Sequence, residues 1–178
     1  TAHVEQRWMD EHIVLDKGTS CVLSGGFADD NLNPVSWFID KHNKYATREM
    51  VDIMLKNLNP AADSKITKGT GLSIRFKRFL KHSIYMKIPY FIRPLLYFCF
   101  RYFIQLGFLD GARGFAYHFM QGFWYRALVD LKCMEIEREW SGCQTIAAKI
   151  GVLEKMSGYN LASYKWMFSY TVLITLQS

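Results

Sequence analysis

Two short stretches concentrate side chains able to do chemistry. The first is Asp10-Glu11-His12, a carboxylate pair and an imidazole set immediately before the apolar triplet Ile13-Val14-Leu15. A strand there would hold a carboxylate as rigidly as proton transfer requires, and a solvated acidic turn is the competing reading of the same spacing. The second is Lys41-His42-Asn43 with Tyr45, inside Asp40–Glu49 (DKHNKYATRE). An ammonium, an imidazole, an amide and a phenol so close together can bind phosphate or sugar hydroxyls, although an ordinary polar helix face has the same composition. No phosphate loop, dinucleotide fingerprint, nucleophile elbow or zinc-protease motif occurs, and the histidines show no finger-type spacing. Asp29-Asp30, followed by Asn31, reads as a surface turn, so no residue of this chain is assigned to a metal.

The elements that must position these residues follow from pattern. His12–Leu15 and Cys21–Leu23 read as short strands, the second ended by Gly25-Gly26. After Asn33-Pro34, the residues Trp37, Ile39, Tyr45, Met50, Val51, Ile53, Met54 and Leu55 recur at helical spacing. Residues Asn57–Gly71 lose periodicity and read as a linker. Ser73–Lys87 then sets Arg75, Lys77, Arg78, Lys81 and Lys87 around a stripe of Phe76, Phe79, Leu80 and Ile84. A basic amphipathic helix of this type lies on membrane surfaces, and each cation near anionic lipid contributes about 1 kcal/mol.

Two apolar, aromatic-rich runs come next, on either side of Gly107–Gly111, and predict a helical hairpin. The first, Pro94–Leu109, is about 16 residues long, or about 24 Å as a helix against a hydrocarbon core of about 30 Å. Its only charge, Arg101, would cost about 2.5–3.5 kcal/mol at the bilayer centre but can snorkel at the interface. Pro89 and Pro94 are expected to break whatever helix precedes this run. The second run, Phe115–Leu131, carries Trp124, Arg126 and Asp130 towards its end, a mix that favours headgroup depth. A hairpin lying in the interface is therefore expected, with Arg101, Trp124 and Arg126 joining Arg75, Lys77, Arg78 and Lys81 as membrane contacts. Gln144–Met156 reads as an amphipathic helix closed by Ser157-Gly158, and Tyr170–Leu176 as strand-like or buried helix.

Composition sets the outer bounds. The chain has 178 residues, enough for one core, and 22 Lys+Arg against 16 Asp+Glu give a formal charge of +6. That balance favours anionic partners. Nucleic acid ranks below membrane, because it would not require the apolar sequence beside the basic run. The four cysteines show no paired spacing, which fits a reducing compartment. Thr1 is not an initiator, and the first methionine, Met9, already lies in patterned sequence, so part of a longer protein is expected.

Three stretches, RWMDEH (Arg7–His12), WFIDKHNKYATRE (Trp37–Glu49) and YFIQLGFLDGARGFAYHFMQGFWYRALVDLK (Tyr102–Lys132), together resemble the C-terminal half of a bacterial family 2 glycosyltransferase of lipopolysaccharide-core or exopolysaccharide assembly. The resemblance implies an α/β fragment of GT-A type over residues 1–56 and a linker over 57–71. It implies a mainly α-helical, membrane-interface hairpin with its basic helix over 72–139, and it leaves 140–178 unassigned. It implies an inverting transfer from a nucleotide-sugar donor to a lipid-linked or saccharide acceptor. The enzyme would be peripheral or monotopic at the anionic cytoplasmic face of the bacterial inner membrane, with no nucleic acid involved. Asp10 would be the base and Glu11 its alternate, His12 would orient the carboxylate or meet diphosphate, and Lys41, His42, Asn43 and Tyr45 would bind acceptor or diphosphate. The family's metal motif, for Mg²⁺ or Mn²⁺, lies upstream of the base, so this stretch alone is expected to be inactive. A non-enzymatic membrane-surface or interaction module is the alternative that the hairpin suggests by itself.

Overall fold

The computed structural model describes residues 1–4, 13–21, 24–26, 32–59, 88–162 and 164. The chain opens with β1 (Ala2–Val4) and β2 (Ile13–Leu15), paired antiparallel with His3 opposite Val14. A long helix, α1 (Val35–Leu58), follows the extended Pro34. The hairpin consists of α2 (Ile92–Cys99), a turn around Gly107–Asp110, and α3 (Gly111–His118). The chain then runs on as α4 (Tyr125–Trp140) and, after a short turn, α5 (Ile146–Ser157).

The helical periods of the sequence account for the core. On α1 the buried positions are His42, Ala46, Met50, Val51, Met54 and Leu55, one stripe of the helix. On α4 they are Tyr125, Val129, Asp130, Cys133 and Ile136, and on α5 Ile150 and Leu153. With Leu161 these apolar side chains form a single cluster, so α1, α4 and α5 share one core. Full burial of side chains such as Met54, Ile136, Ile150 and Leu153 contributes about 1.5–3 kcal/mol each. The expected closing helix is present: Thr145 caps α5 by accepting from the Ala148 amide at 3.1 Å, and Gly158 ends it in the left-handed conformation, φ 74°. Trp140 donates its indole N–H to the Lys149 carbonyl at 3.0 Å, which ties α4 to α5.

The structure corrects the first part of the sequence reading. The chain is mainly helical, and among the described residues its sheet has two strands. An α/β fragment of GT-A type over residues 1–56 is not supported. Every residue of β1 and β2 is exposed, so the pair has no buried face of the kind an α/β layer requires. The apolar residues that could have faced a sheet lie on α1 and are used against α4 and α5. Cys21 belongs to no strand, and the rest of that expected strand lies outside the described residues. The same is true of Asp10, Glu11 and His12, of the basic run with Arg75, Lys77, Arg78 and Lys81, and of Tyr170–Leu176.

The hairpin is helical, as expected, with one local departure in each limb. Pro94 belongs to the start of α2, and the stretch before Ile88 that it is expected to end lies outside the described residues. Pro94 sits buried in the first turn of α2, where its missing N–H leaves no intrahelical bond unmade. At Phe100–Ile104 and Phe119–Trp124 the two limbs widen into π-helical turns, with the Gln105 amide donating to the Phe100 carbonyl at 3.0 Å. The turn between the limbs is unusually tight. A Cβ added at Gly107 would lie 2.3 Å from His118 Nε2, and one at Gly114 would lie 2.5 Å from the Gly107 carbonyl oxygen. Among the described residues no helix is long and apolar enough to cross a membrane.

What holds the hairpin against the core is a buried ion pair. Arg93 donates to Asp130 on α4 through Nε at 2.8 Å and also through Nη2. The other carboxylate oxygen accepts from the Phe91 amide at 3.0 Å, and Phe91 stands in the left-handed region, φ 64°, just before α2. Nearby, Tyr90 donates its hydroxyl to Glu137 at 2.6 Å. Burial first, and then this bond, raises the Tyr90 phenol above its ordinary range. Asp130→Ala is expected to lower unfolding free energy by about 3–5 kcal/mol, because it strands a buried guanidinium. Tyr90→Phe, at a more exposed bond, should cost about 1 kcal/mol, and denaturant titration of both variants compares the two.

Burial also pushes the Cys133 thiol up to about 12, against an opposing pull from Arg93. A thiol held that high carries almost no thiolate near pH 8. Under native conditions a thiol-alkylating reagent at that pH should label exposed Cys21 and spare Cys133 until the chain is unfolded, as peptide mass mapping would show.

Candidate functional site

The densest polar arrangement joins α1 to the start of α4. His42 and Glu49 are seven residues apart and so share a face of α1. His42 Nδ1 lies 2.8 Å from the Phe38 carbonyl oxygen, which can only accept, so the proton belongs on Nδ1. Nε2 is then free to accept from the Gln121 amide at 3.1 Å. The ring stacks on Phe38 at 3.8 Å between centroids and meets the edge of Tyr125 at 5.5 Å. Both ring nitrogens are thus used inside the fold, and the imidazole is buried.

Glu49 is similarly committed. One oxygen accepts from the Tyr125 hydroxyl at 2.7 Å and the other from Arg126 at 2.8 Å. A carboxylate shared between a phenol and a guanidinium holds two helices in register. It is a poor general base, because its lone pairs already face donors. Arg126 in turn lies over the rings of Tyr97 at 5.8 Å and Tyr125 at 5.6 Å.

The remaining residues of the second motif point elsewhere. Lys41 places its ammonium 4.7 Å above the Trp37 ring and 5.6 Å from Tyr45, a cation in an aromatic cradle. Asn43 is exposed, and its backbone carbonyl accepts from the Thr47 hydroxyl at 3.1 Å. Of the expected sugar- or phosphate-binding set, Asn43 is exposed and Lys41 half-buried over its two rings, whereas Tyr45 packs against the core cluster and His42 is turned towards it.

The three described residues expected at the membrane divide in the same way. Trp124 packs against the core cluster, and Arg126 pairs with Glu49. Arg101 lies over Tyr97 at 5.7 Å and Tyr117 at 5.4 Å. Around it runs a broad apolar surface. Ile92, Leu95, Leu96, Phe100 and Phe103 follow the i, i+3, i+4, i+8, i+11 rhythm of one helix stripe, and all are exposed, as are Ile104, Phe108, Phe115 and Phe119. An exposed apolar set this continuous marks a binding surface in a folded protein.

Sequence reasoning missed Glu49, Gln121 and Tyr125 as members of the network. Spacing shows that His42 and Glu49, seven apart, share a face of α1, but nothing local pairs that face with Gln121 and Tyr125. Among the described residues no group of three or more His, Cys, Asp or Glu side chains could hold a metal ion. Comparison with protein-family models, with curated proteins and with solved structures finds no match for the chain.

The Glu49 junction makes a direct prediction. Glu49→Ala should cost about 1–3 kcal/mol, since it leaves the Tyr125 hydroxyl and Arg126 without their acceptor. In a double-mutant cycle with Tyr125→Phe the two changes should couple by at least about 0.5 kcal/mol. Additive stabilities by thermal or urea unfolding would show that the junction does not act as a unit.

Proposed function

We propose that this chain is the acceptor-side and membrane-docking part of an inverting family 2 glycosyltransferase. The whole enzyme would move a sugar from a nucleotide-sugar to a lipid-linked or polysaccharide acceptor at the cytoplasmic face of a bacterial inner membrane. The observation that carries this reading is the meeting of two of the resembling stretches. Trp37–Glu49 and Tyr102–Lys132 are joined through His42–Gln121, Glu49–Tyr125 and Glu49–Arg126. Lys41 and Asn43 are thereby held on a helix anchored to the core, beside a hairpin whose outer face is apolar.

In this reading Asp10, with Glu11 as its alternate, takes the proton from the acceptor hydroxyl while that oxygen attacks the anomeric carbon. His12 orients the carboxylate. Lys41 supplies positive charge where the leaving diphosphate becomes more negative. A bound Mg²⁺ or Mn²⁺, which the resemblance implies, would supply further neutralisation of that diphosphate.

The exposed apolar face also favours a second reading, a non-enzymatic membrane-surface or interaction module, and one experiment separates the two. In a protein extended upstream, Asp10→Asn should lower sugar transfer by about 10²- to 10⁴-fold while nucleotide-sugar binding is kept. Turnover retained by the variant would move the base to Glu11. An extended wild-type protein that neither binds nor uses any nucleotide-sugar would leave the membrane module.

A further inference from the structure

Arg101 is the one charged residue of the first hairpin limb beyond Arg93, and it is set apart from its basic neighbours by its surroundings. Arg93 is consumed by Asp130 and Arg126 by Glu49. No carboxylate among the described residues pairs with Arg101. Its guanidinium instead lies over Tyr97 and Tyr117, at 5.7 and 5.4 Å from the ring centroids. Tyr97 is shared with Arg126, 5.8 Å away on the same ring, and Arg126 pairs with Glu49. The residue lies on a π-helical turn, a distortion that recurs at functional sites. Its sequence neighbours Phe100 and Ile104 are both exposed, Ile104 at 71%. A cation walled by tyrosines at the border of an apolar surface matches an amphiphile with a phosphate head and a hydrocarbon tail.

We propose that Arg101 binds the headgroup phosphate of an anionic lipid, with Tyr97 and Tyr117 as its walls and the acyl region against Leu96, Phe100 and Ile104. This rests on the membrane-docking reading and deepens it, because diffuse attraction of basic residues to a charged surface needs no particular arginine. The planar fork of Arg101 can meet two phosphate oxygens at once, and tyrosine hydroxyls beside it can donate further bonds. A terminal phosphate, with more charge and more free oxygens than a phosphodiester, suits that fork best.

The test is flotation of the full chain with phosphatidylcholine vesicles containing phosphatidic acid, compared with phosphatidylglycerol at matched surface charge. Wild type should prefer phosphatidic acid. Arg101→Lys keeps the charge and loses the fork, and should reduce that preference about fivefold, the size of one net hydrogen bond. Arg113→Gln, at an exposed arginine of the same hairpin, should weaken binding to both vesicles alike. Arg101→Lys behaving as wild type, or Arg113→Gln losing the preference equally, overturns the assignment. Millimolar inorganic phosphate abolishing the preference would reassign the site to free phosphate and overturn the lipid. Wild type that floats with neither vesicle would refute the docking reading itself. Wild type that floats with both equally would leave docking standing and remove Arg101 from it.

Discussion

The hairpin depends on one buried carboxylate. Asp130 is 2% exposed and Arg93 4%, and neither charge could be so far from water without the other. Two oxygens collect three bonds: two from the Arg93 guanidinium and one from the Phe91 amide. Against a well-packed apolar pair such an arrangement adds little net stability, because desolvation offsets most of the attraction. Its consequence is geometric. It fixes the left-handed residue at which the chain turns into α2, and with it the direction in which α2 leaves the core. The outer stripe of α2 is exposed and cannot supply that constraint. A further hold is the inner seam, where Gly122 brings the second limb within 3.6 Å of Phe98 Cα, measured from the position a Cβ would take.

That seam also sorts the aromatic residues. Phe98 stacks on Tyr102 and meets Phe115 and Phe119 edge-on, so the phenylalanines gather along one flank. Tyr97, Tyr117, Arg101 and Arg126 gather along the other. Residues 97 and 101 share one helix face, and 98 and 102 the next face round. The rings therefore serve two purposes. The phenylalanine flank continues into the exposed apolar stripe, and the tyrosine flank carries the charge at its border.

Much of this was legible in the sequence where a period or a turn residue repeats locally. The apolar rhythm of Trp37–Leu55 gave α1, and the glycines at 107 and 111 gave the hairpin turn. Ser157-Gly158 gave the end of α5. The GT-A expectation failed over residues 1–56 because Ile13–Leu15 is apolar enough for a strand yet too short to define a buried face, and its partner turned out to be Ala2–Val4. Long-range choices were not legible. Asp130 reads in sequence as a charge near the end of an apolar run, and nothing local says that Arg93 will bury it. Glu49 reads as one more member of a polar face until Tyr125 and Arg126 arrive from another helix. The π-helical turns carry no local signature at all, and they decide where Arg101 and Gln121 point.

Arg126 and Asp130 sit four residues apart on α4, a spacing that would let them pair with each other. An exposed pair of that kind is worth about 0.3–0.5 kcal/mol. Each instead takes a partner from another element, Arg126 from α1 and Asp130 from α2. The exchange turns one weak local contact into two cross-links within about one turn of α4. Lys41, Asn43 and Tyr45 on α1 and Arg101 on the hairpin are consequently referred to the same short segment of helix. Any partner that engages the apolar face of the hairpin acts on α2, whose base is bonded to α4, and α4 is bonded in turn to α1. Docking at one surface would thereby be linked through buried and part-buried bonds to the orientation of Lys41 and Asn43 at the other.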